Sequence, residues 1–176
     1  LVGSEMCIRD SLSFEEAAAV PEVYLTAYQV LFLIGGLKPR QNVLIHAGAS
    51  GVGTAAIQLV RSKDAVPFVT AGTSEKISFC QDLGAKAGIN YKEEDFAKRI
   101  HELTDQHGAD LIMDFVGADY WEKNLNALAQ EGHIVVIAYL SGPMVDKVDL
   151  RPIQKKWASV TGTTLRARSL ELSLIH

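Results

Sequence analysis

From position 42 onward the chain alternates short apolar runs with stretches in which apolar residues recur every three to four positions. The runs 42–47 (NVLIHA), 67–71 (PFVTA), 87–90 (AGIN), 110–115 (DLIMDF) and 133–139 (HIVVIAY) have strand length and read as strands. Between them, 52–63, 75–83, 95–104 and 120–129 carry helical spacing, and a weaker sixth strand is expected at 159–163. Strand and helix in strict alternation predict βαβ units, hence an α/β fold with a doubly wound parallel sheet and helices on both faces. Upstream, Ser13-Phe14-Glu15-Glu16 is a capping box, in which hydroxyl and carboxylate each meet an orphan backbone N–H. A short helix is expected from there to just before Pro21. A second is expected over 23–34, where Val23, Ala27, Val30, Leu31 and Ile34 share a face and Gly35-Gly36 supplies the stop.

Composition narrows the function classes. The 176 residues are 48% hydrophobic and 22% charged, as in an ordinary globular chain, and no repeat or linker divides them, so one domain is expected. A net charge of -4 with dispersed Lys and Arg argues against a nucleic-acid partner or a polybasic membrane surface. The most apolar stretch, 20–36, is interrupted by Pro21, Glu22 and Gln29 and reads as a core helix rather than a membrane span. Cys7 and Cys80 form no CxxC and no cluster with histidine, so neither a disulfide framework nor a metal site is expected, and a cytoplasmic location fits. His46, His101, His107, His133 and His176 read as surface or strand-end residues. The first residues, LVGSEMCIRDS, lack the basic start and apolar run of a signal peptide.

The most informative segment is 46–56, HAGASGVGTAA, which leaves a strand and opens a helix. In a nucleotide-binding βα turn one glycine permits the turn, a second lets backbone approach a diphosphate and a third packs helix on strand. Gly48 and Gly53 take the first and third places; Ser50, beside Ala49, takes the second and brings a hydroxyl. The free N–H groups and partial positive charge of the following helix suit a diphosphate. The turn is also compatible with a purely structural role. No Gly-Lys-Ser/Thr triplet ends it, which excludes a P-loop, and a methyltransferase using S-adenosylmethionine would want a carboxylate after the second strand.

No such carboxylate sits at that tip, which reads Thr70-Ala71-Gly72-Thr73-Ser74-Glu75-Lys76. Enzymes that use NAD place an acidic group there for the ribose 2′-OH. The hydroxyls of Thr73 and Ser74 and the Lys76 cation suit a 2′-phosphate instead, which favours NADPH. A plainer reading of the same residues is a helix start, with Ser74 as cap, Glu75 complementing the dipole and Lys76 solvated.

LTAY at 25–28, VLIHAGASGVGTAAIQL at 43–59, LGAKAGINYKEEDF at 83–96 and DFVGADYWEKN at 114–124 together resemble the medium-chain dehydrogenase/reductase superfamily. Within it they resemble the zinc-independent, NADPH-dependent quinone oxidoreductases related to zeta-crystallin, over residues 11–168. The resemblance implies a Rossmann fold in which Ser50, Gly51, Val52 and Gly53 line the diphosphate with Thr26 nearby. Lys76 and Tyr91 are expected at the adenosine 2′-phosphate, Val116 and Gly117 at the nicotinamide ribose. Ala138, Tyr139 and Leu140 are expected along the nicotinamide, with Thr164 and Leu165 at its far wall. Residues 1–10 and 169–176 do not resemble the family, and the chain is expected to be the cofactor-binding part of a longer enzyme whose GroES-like domain is missing from it. The implied reaction is hydride transfer to a quinone or conjugated carbonyl in a homodimer joined at the sheet edge. No residue of this chain is identified as catalytic. Alternatives are an enoyl or alkenal reductase of the same superfamily and a non-catalytic NADPH-binding module.

Overall fold

The structure, a computed structural model, describes residues 12–164. Leu165, Cys7, His176 and the flanks 1–10 and 169–176 lie outside the described residues. Six strands, β1 (Asn42–Ile45), β2 (Val66–Ala71), β3 (Ala87–Asn90), β4 (Ala109–Asp114), β5 (Leu128–Val136) and β6 (Ser159–Gly162), pair in the order β3-β2-β1-β4-β5-β6. Every pairing is parallel. This is the doubly wound Rossmann-type sheet expected from the strand–helix alternation. The chain winds outward one way from β1 and the other way from β4, so their neighbouring carboxyl ends form a crevice.

Side chains alternate between two buried layers, as the period of a strand requires. Val43, Ile45, Val69 and Met113 face α1 (Phe14–Tyr28) and α2 (Gly51–Ser62), packing with Ala27, Ala56 and Ile57. Leu44, Phe68, Ile89 and Ile112 face α4 (Phe96–Leu103) and α5 (Trp121–Ala127), packing with Phe96, Ile100 and Leu125. The remaining helices are α3 (Ser74–Asp82) and α6 (Arg151–Lys156), with a 3₁₀ turn at Ala118–Tyr120.

Three local expectations are corrected. Pro21 does not end a helix: it lies inside α1, which continues through a π-helical turn, Gln29–Ile34. Proline removes one backbone donor there, but Pro21 is exposed, so water can serve the carbonyl left over. The fused helix, Phe14–Ile34, is thereby long and apolar enough to cross a membrane by length and composition, with a mean hydropathy of 1.5 over an 18-residue window of which 22% is buried. Its second half is core, with Ala27, Val30 and Leu31 fully buried. The third correction is that α5 stops at Ala127 and β5 starts at Leu128, because Leu128 pairs with Ala109 of β4 ahead of an irregularity in that ladder. The Lys156 ammonium closes the end of α5 by donating to the carbonyls of Leu125, Asn126 and Leu128.

Candidate functional site

At the crevice the chain leaves β1 at Ile45 and turns sharply from His46 onward. Ala47 takes a left-handed φ of 49°, the Gly48 N–H donates to Thr70 O and the Ser50 N–H to Ala47 O. Both outer glycines are dictated by contact. A Cβ on Gly48 would lie 2.5 Å from the Val69 Cβ, and one on Gly53 would lie 2.5 Å from the Gly48 carbonyl oxygen. Ser50 caps α2, its hydroxyl oxygen accepting from the Gly53 N–H at 3.1 Å. The first backbone bond into the helix comes from Thr54, so the amides of Gly51 and Val52 precede it.

Over this turn opens a cleft of about 610 Å³. One wall is the turn itself, Ala47, Ala49 and Ser50; the floor is the tip of β2, Thr70, Ala71 and Gly72, with Lys76 one turn into α3. Tyr91, after β3, and Val116, Asp119, Tyr120, Leu140 and Ser141 close it. Of the residues singled out from sequence, Ala49, Ser50, Lys76, Tyr91, Val116 and Leu140 therefore meet in one place. Gly117 and Tyr139 line a neighbouring cleft of about 470 Å³ together with Asp114, Trp121 and Met144. Gly51, Val52 and Gly53 lie in the first turn of α2, below the rim, and Val52 and Ala138 pack against the core. Thr26 is on α1, and Thr164 follows β6 as the last described residue. Ser74 is the first residue of α3 rather than its cap; Thr73 is the cap, its hydroxyl accepting from the Lys76 N–H.

The β2 tip, read from sequence as the place where the ribose is met, does line the cleft through Thr70, Ala71 and Gly72. Sequence reasoning missed Ala47 and the Asp119, Tyr120 and Ser141 walls. It also misplaced His46, which is fully buried. Its Nε2 lies 2.7 Å from Asn124 Oδ1, an acceptor only, and so carries the proton, while Nδ1 accepts from the Thr70 hydroxyl at 3.0 Å. Burial lowers its pKa to about 4, against the opposing effect of the Asn124 bond, so the imidazole is neutral at pH 7.

Asp114, at the end of β4, is also buried, and its Oδ1 accepts from the N–H groups of Val116 and Gly117 at 2.7 and 3.1 Å. Burial pushes its pKa up, and those two bonds hold the rise back. The turn they shape is tied to the segment after β5. Ser141 N–H and Oγ–H both donate to the Val116 carbonyl, and Ser141 Oγ accepts from the Asp119 N–H. This pair of turns separates the two clefts.

A family model described as zinc-binding dehydrogenase matches residues 51–174. The chain is 38% identical over 135 residues to a quinone oxidoreductase-like protein 2 homolog of Nematostella vectensis, covering 77% of this chain and 37% of that one. A crystal structure of Escherichia coli quinone oxidoreductase complexed with NADPH superposes with a TM-score of 0.83 at 34% identity, covering 92% of this chain and 50% of that one. The crystal structure of CurK enoyl reductase superposes with a TM-score of 0.77 at 32% identity, covering 90% and 47%. The chain thus spans half or less of the length of each. Among the described residues no three His, Cys, Asp or Glu side chains are grouped to hold a metal ion, so the zinc in the family's description has no ligand set in them.

Proposed function

The chain belongs to the zinc-binding dehydrogenase family of the medium-chain dehydrogenase/reductase superfamily, as a quinone oxidoreductase-like cofactor-binding region, and on that premise we propose that it binds NADPH for reduction of a quinone. The observation that carries this reading is the strand, glycine turn and helix opening onto the 610 Å³ cleft, with Lys76 on its wall and no carboxylate at the β2 tip. Gly53 and Gly48 leave the chain close enough to the rim for a diphosphate to meet the amides that precede the first bond of α2. Ser50 keeps its hydroxyl proton for the same group, since only its oxygen is used by the helix. Lys76 and Tyr91 take the adenosine 2′-phosphate, and Val116 and Leu140 run toward the nicotinamide. When bound, NADPH supplies the hydride; the protein positions it and keeps water away.

A second reading, hydride delivery to the conjugated double bond of an enoyl or alkenal carbonyl, draws on the likeness to the enoyl reductase structure. In both readings the enzyme is cytoplasmic, and a second copy pairs with β6, the edge strand of the sheet among the described residues. The test is to titrate the 176-residue chain with NADPH and NADH by calorimetry, with Lys76→Ala in parallel. NADPH preference that disappears in Lys76→Ala is the expected result. Equal binding of both nucleotides by the unaltered chain would overturn the NADPH assignment, and binding of neither would overturn the cleft's role.

A further inference from the structure

On the face of the sheet that carries Leu44, Phe68 and Ile112, the next inward positions are two residues further on: His46, Thr70 and Asp114. The core layer thus turns polar at the end of the sheet that meets the clefts. Asn124 of α5 completes the set, and none of the four is more than 2% exposed. Apolar residues at these places would pack against Phe96 and Leu125 with no partner to find, whereas buried polar groups must satisfy one another in one arrangement. The set reaches the larger cleft twice. Thr70 is part of its floor, and Asp114 holds the turn that carries Val116, part of its wall.

The contacts run in a fixed direction. The Thr70 hydroxyl occupies His46 Nδ1, so the imidazole proton sits on Nε2 and goes to Asn124 Oδ1. With its oxygen so committed, the nitrogen is the amide atom left for Asp114. Burial pushes the Asp114 carboxyl's pKa up, and the N–H groups of Val116 and Gly117, then the Asn124 amide, hold it down. Asn124 Nδ2 has no full hydrogen bond among the described residues, so it is a donor kept beside the carboxyl and not spent elsewhere. The carboxyl in turn governs backbone. Gly117 takes a φ of 89°, a conformation that glycine permits without selecting, and the bond from its N–H to Asp114 Oδ1 selects it.

We infer that Asn124 is a positioning residue for the Val116–Gly117 turn: it acts through Asp114, and His46 fixes which way its amide points. The inference rests on the reading of the larger cleft as a nucleotide site and deepens it, since it names what sets the wall on the side away from Lys76. An asparagine that served folding alone would lower the unfolding temperature and leave every part of the nucleotide bound in the same proportion.

That difference is the test. The 176-residue chain and Asn124→Leu are titrated with NADPH and with 2′,5′-ADP, which lacks the half of the cofactor that extends toward Val116, and thermal unfolding is followed beside them. The unaltered chain is expected to bind NADPH more tightly than 2′,5′-ADP. Asn124→Leu is expected to weaken NADPH by about fivefold, the scale of one misplaced hydrogen bond, and to leave 2′,5′-ADP unchanged. If the variant weakens both ligands alike, or neither, the inference is overturned while the cleft's role stands; the same holds if the unaltered chain binds the two equally. If the unaltered chain binds neither, the cleft reading itself falls and takes the inference with it. Should Asn124→Leu fail to fold, the unaltered chain carries the test by nuclear magnetic resonance. NADPH is expected to shift the Asn124 side-chain amide resonances and 2′,5′-ADP to leave them in place, and an Asn124 amide that ignores NADPH overturns the inference.

Discussion

The two clefts on either side of the Asp114–Gly117 turn are built differently. The larger has its floor on the sheet: Thr70 and Ala71 are buried, hydrogen-bonded strand residues, and behind them His46 joins β1, β2 and α5 through two side-chain bonds. The smaller is roofed by residues 137–150, which form neither helix nor strand, and Met144 on its wall is 80% exposed. One wall is fixed by a ladder shared among four strands; the other hangs on a few tethers at Leu140, Ser141 and Gly142. A site that must pre-exist its ligand is therefore expected in the first, and local opening in the second.

The largest expected effect breaks the first cleft from beneath. His46 is neutral in the fold with a pKa of about 4, whereas the unfolded chain takes up its proton near 6.5. Between those values the unfolded state binds more protons, so stability falls as pH drops from 6.5 to 4 and is complete above that window. The loss is about 3 kcal/mol at full extent. Asp114, with its pKa raised, contributes in the opposite sense, because there the folded state holds the proton longer. Subtracting the urea unfolding curves of His46→Gln from those of the unaltered chain at pH 7 and pH 4 isolates the histidine; a difference independent of pH would refute the assignment.

Next comes Gly53→Ala. Its new methyl would sit 2.5 Å from one backbone oxygen and 2.6 Å from another, and backbone cannot swing aside as a side chain can. A loss of about 2 kcal/mol in unfolding free energy is expected, with weakened NADPH binding. Lys76→Ala leaves the fold alone, being an exposed helix position. It is expected to lower NADPH affinity by about tenfold while NADH is unaffected, as removal of one charge-assisted contact would.

The smallest change sharpens the contrast from the other side. Ser141→Ala removes the side-chain bonds to Val116 O and from the Asp119 N–H, at a cost of about 1 kcal/mol. Hydrogen exchange is expected to quicken at the Asp119 amide and to stay unchanged in β1 and β2. Faster exchange in those strands would mean that the two clefts are coupled rather than independently built.

Much of this was legible because it is local. The capping box at Ser13, the glycine turn and the alternating strand and helix periods are each set within a dozen residues, and that alternation already implies a doubly wound parallel sheet. Tyr120 and Ser141 were not legible, because nothing within their own segments shows that β4 and β5 bring them to the rim beside Lys76, which follows β2. His46 was misread for the same reason. Its partners lie 24 and 78 residues away, and only they make burial of an imidazole tolerable.

Pro21 marks the boundary between the two kinds of information. Its local preference is to end a helix, and the chain overrides it because the residues beyond, Val23 against Gly51 and Ala27 in the core, find partners on α2 and the sheet. By itself the sequence determined where chain turns sharply, which runs are strands and where a helix can present free amides, since these depend on backbone sterics and neighbouring residues. The tertiary structure alone decided which distant side chains share a cleft, which histidine is buried and neutral, and how far α1 runs, since these depend on contacts that exist only once the sheet has closed them together.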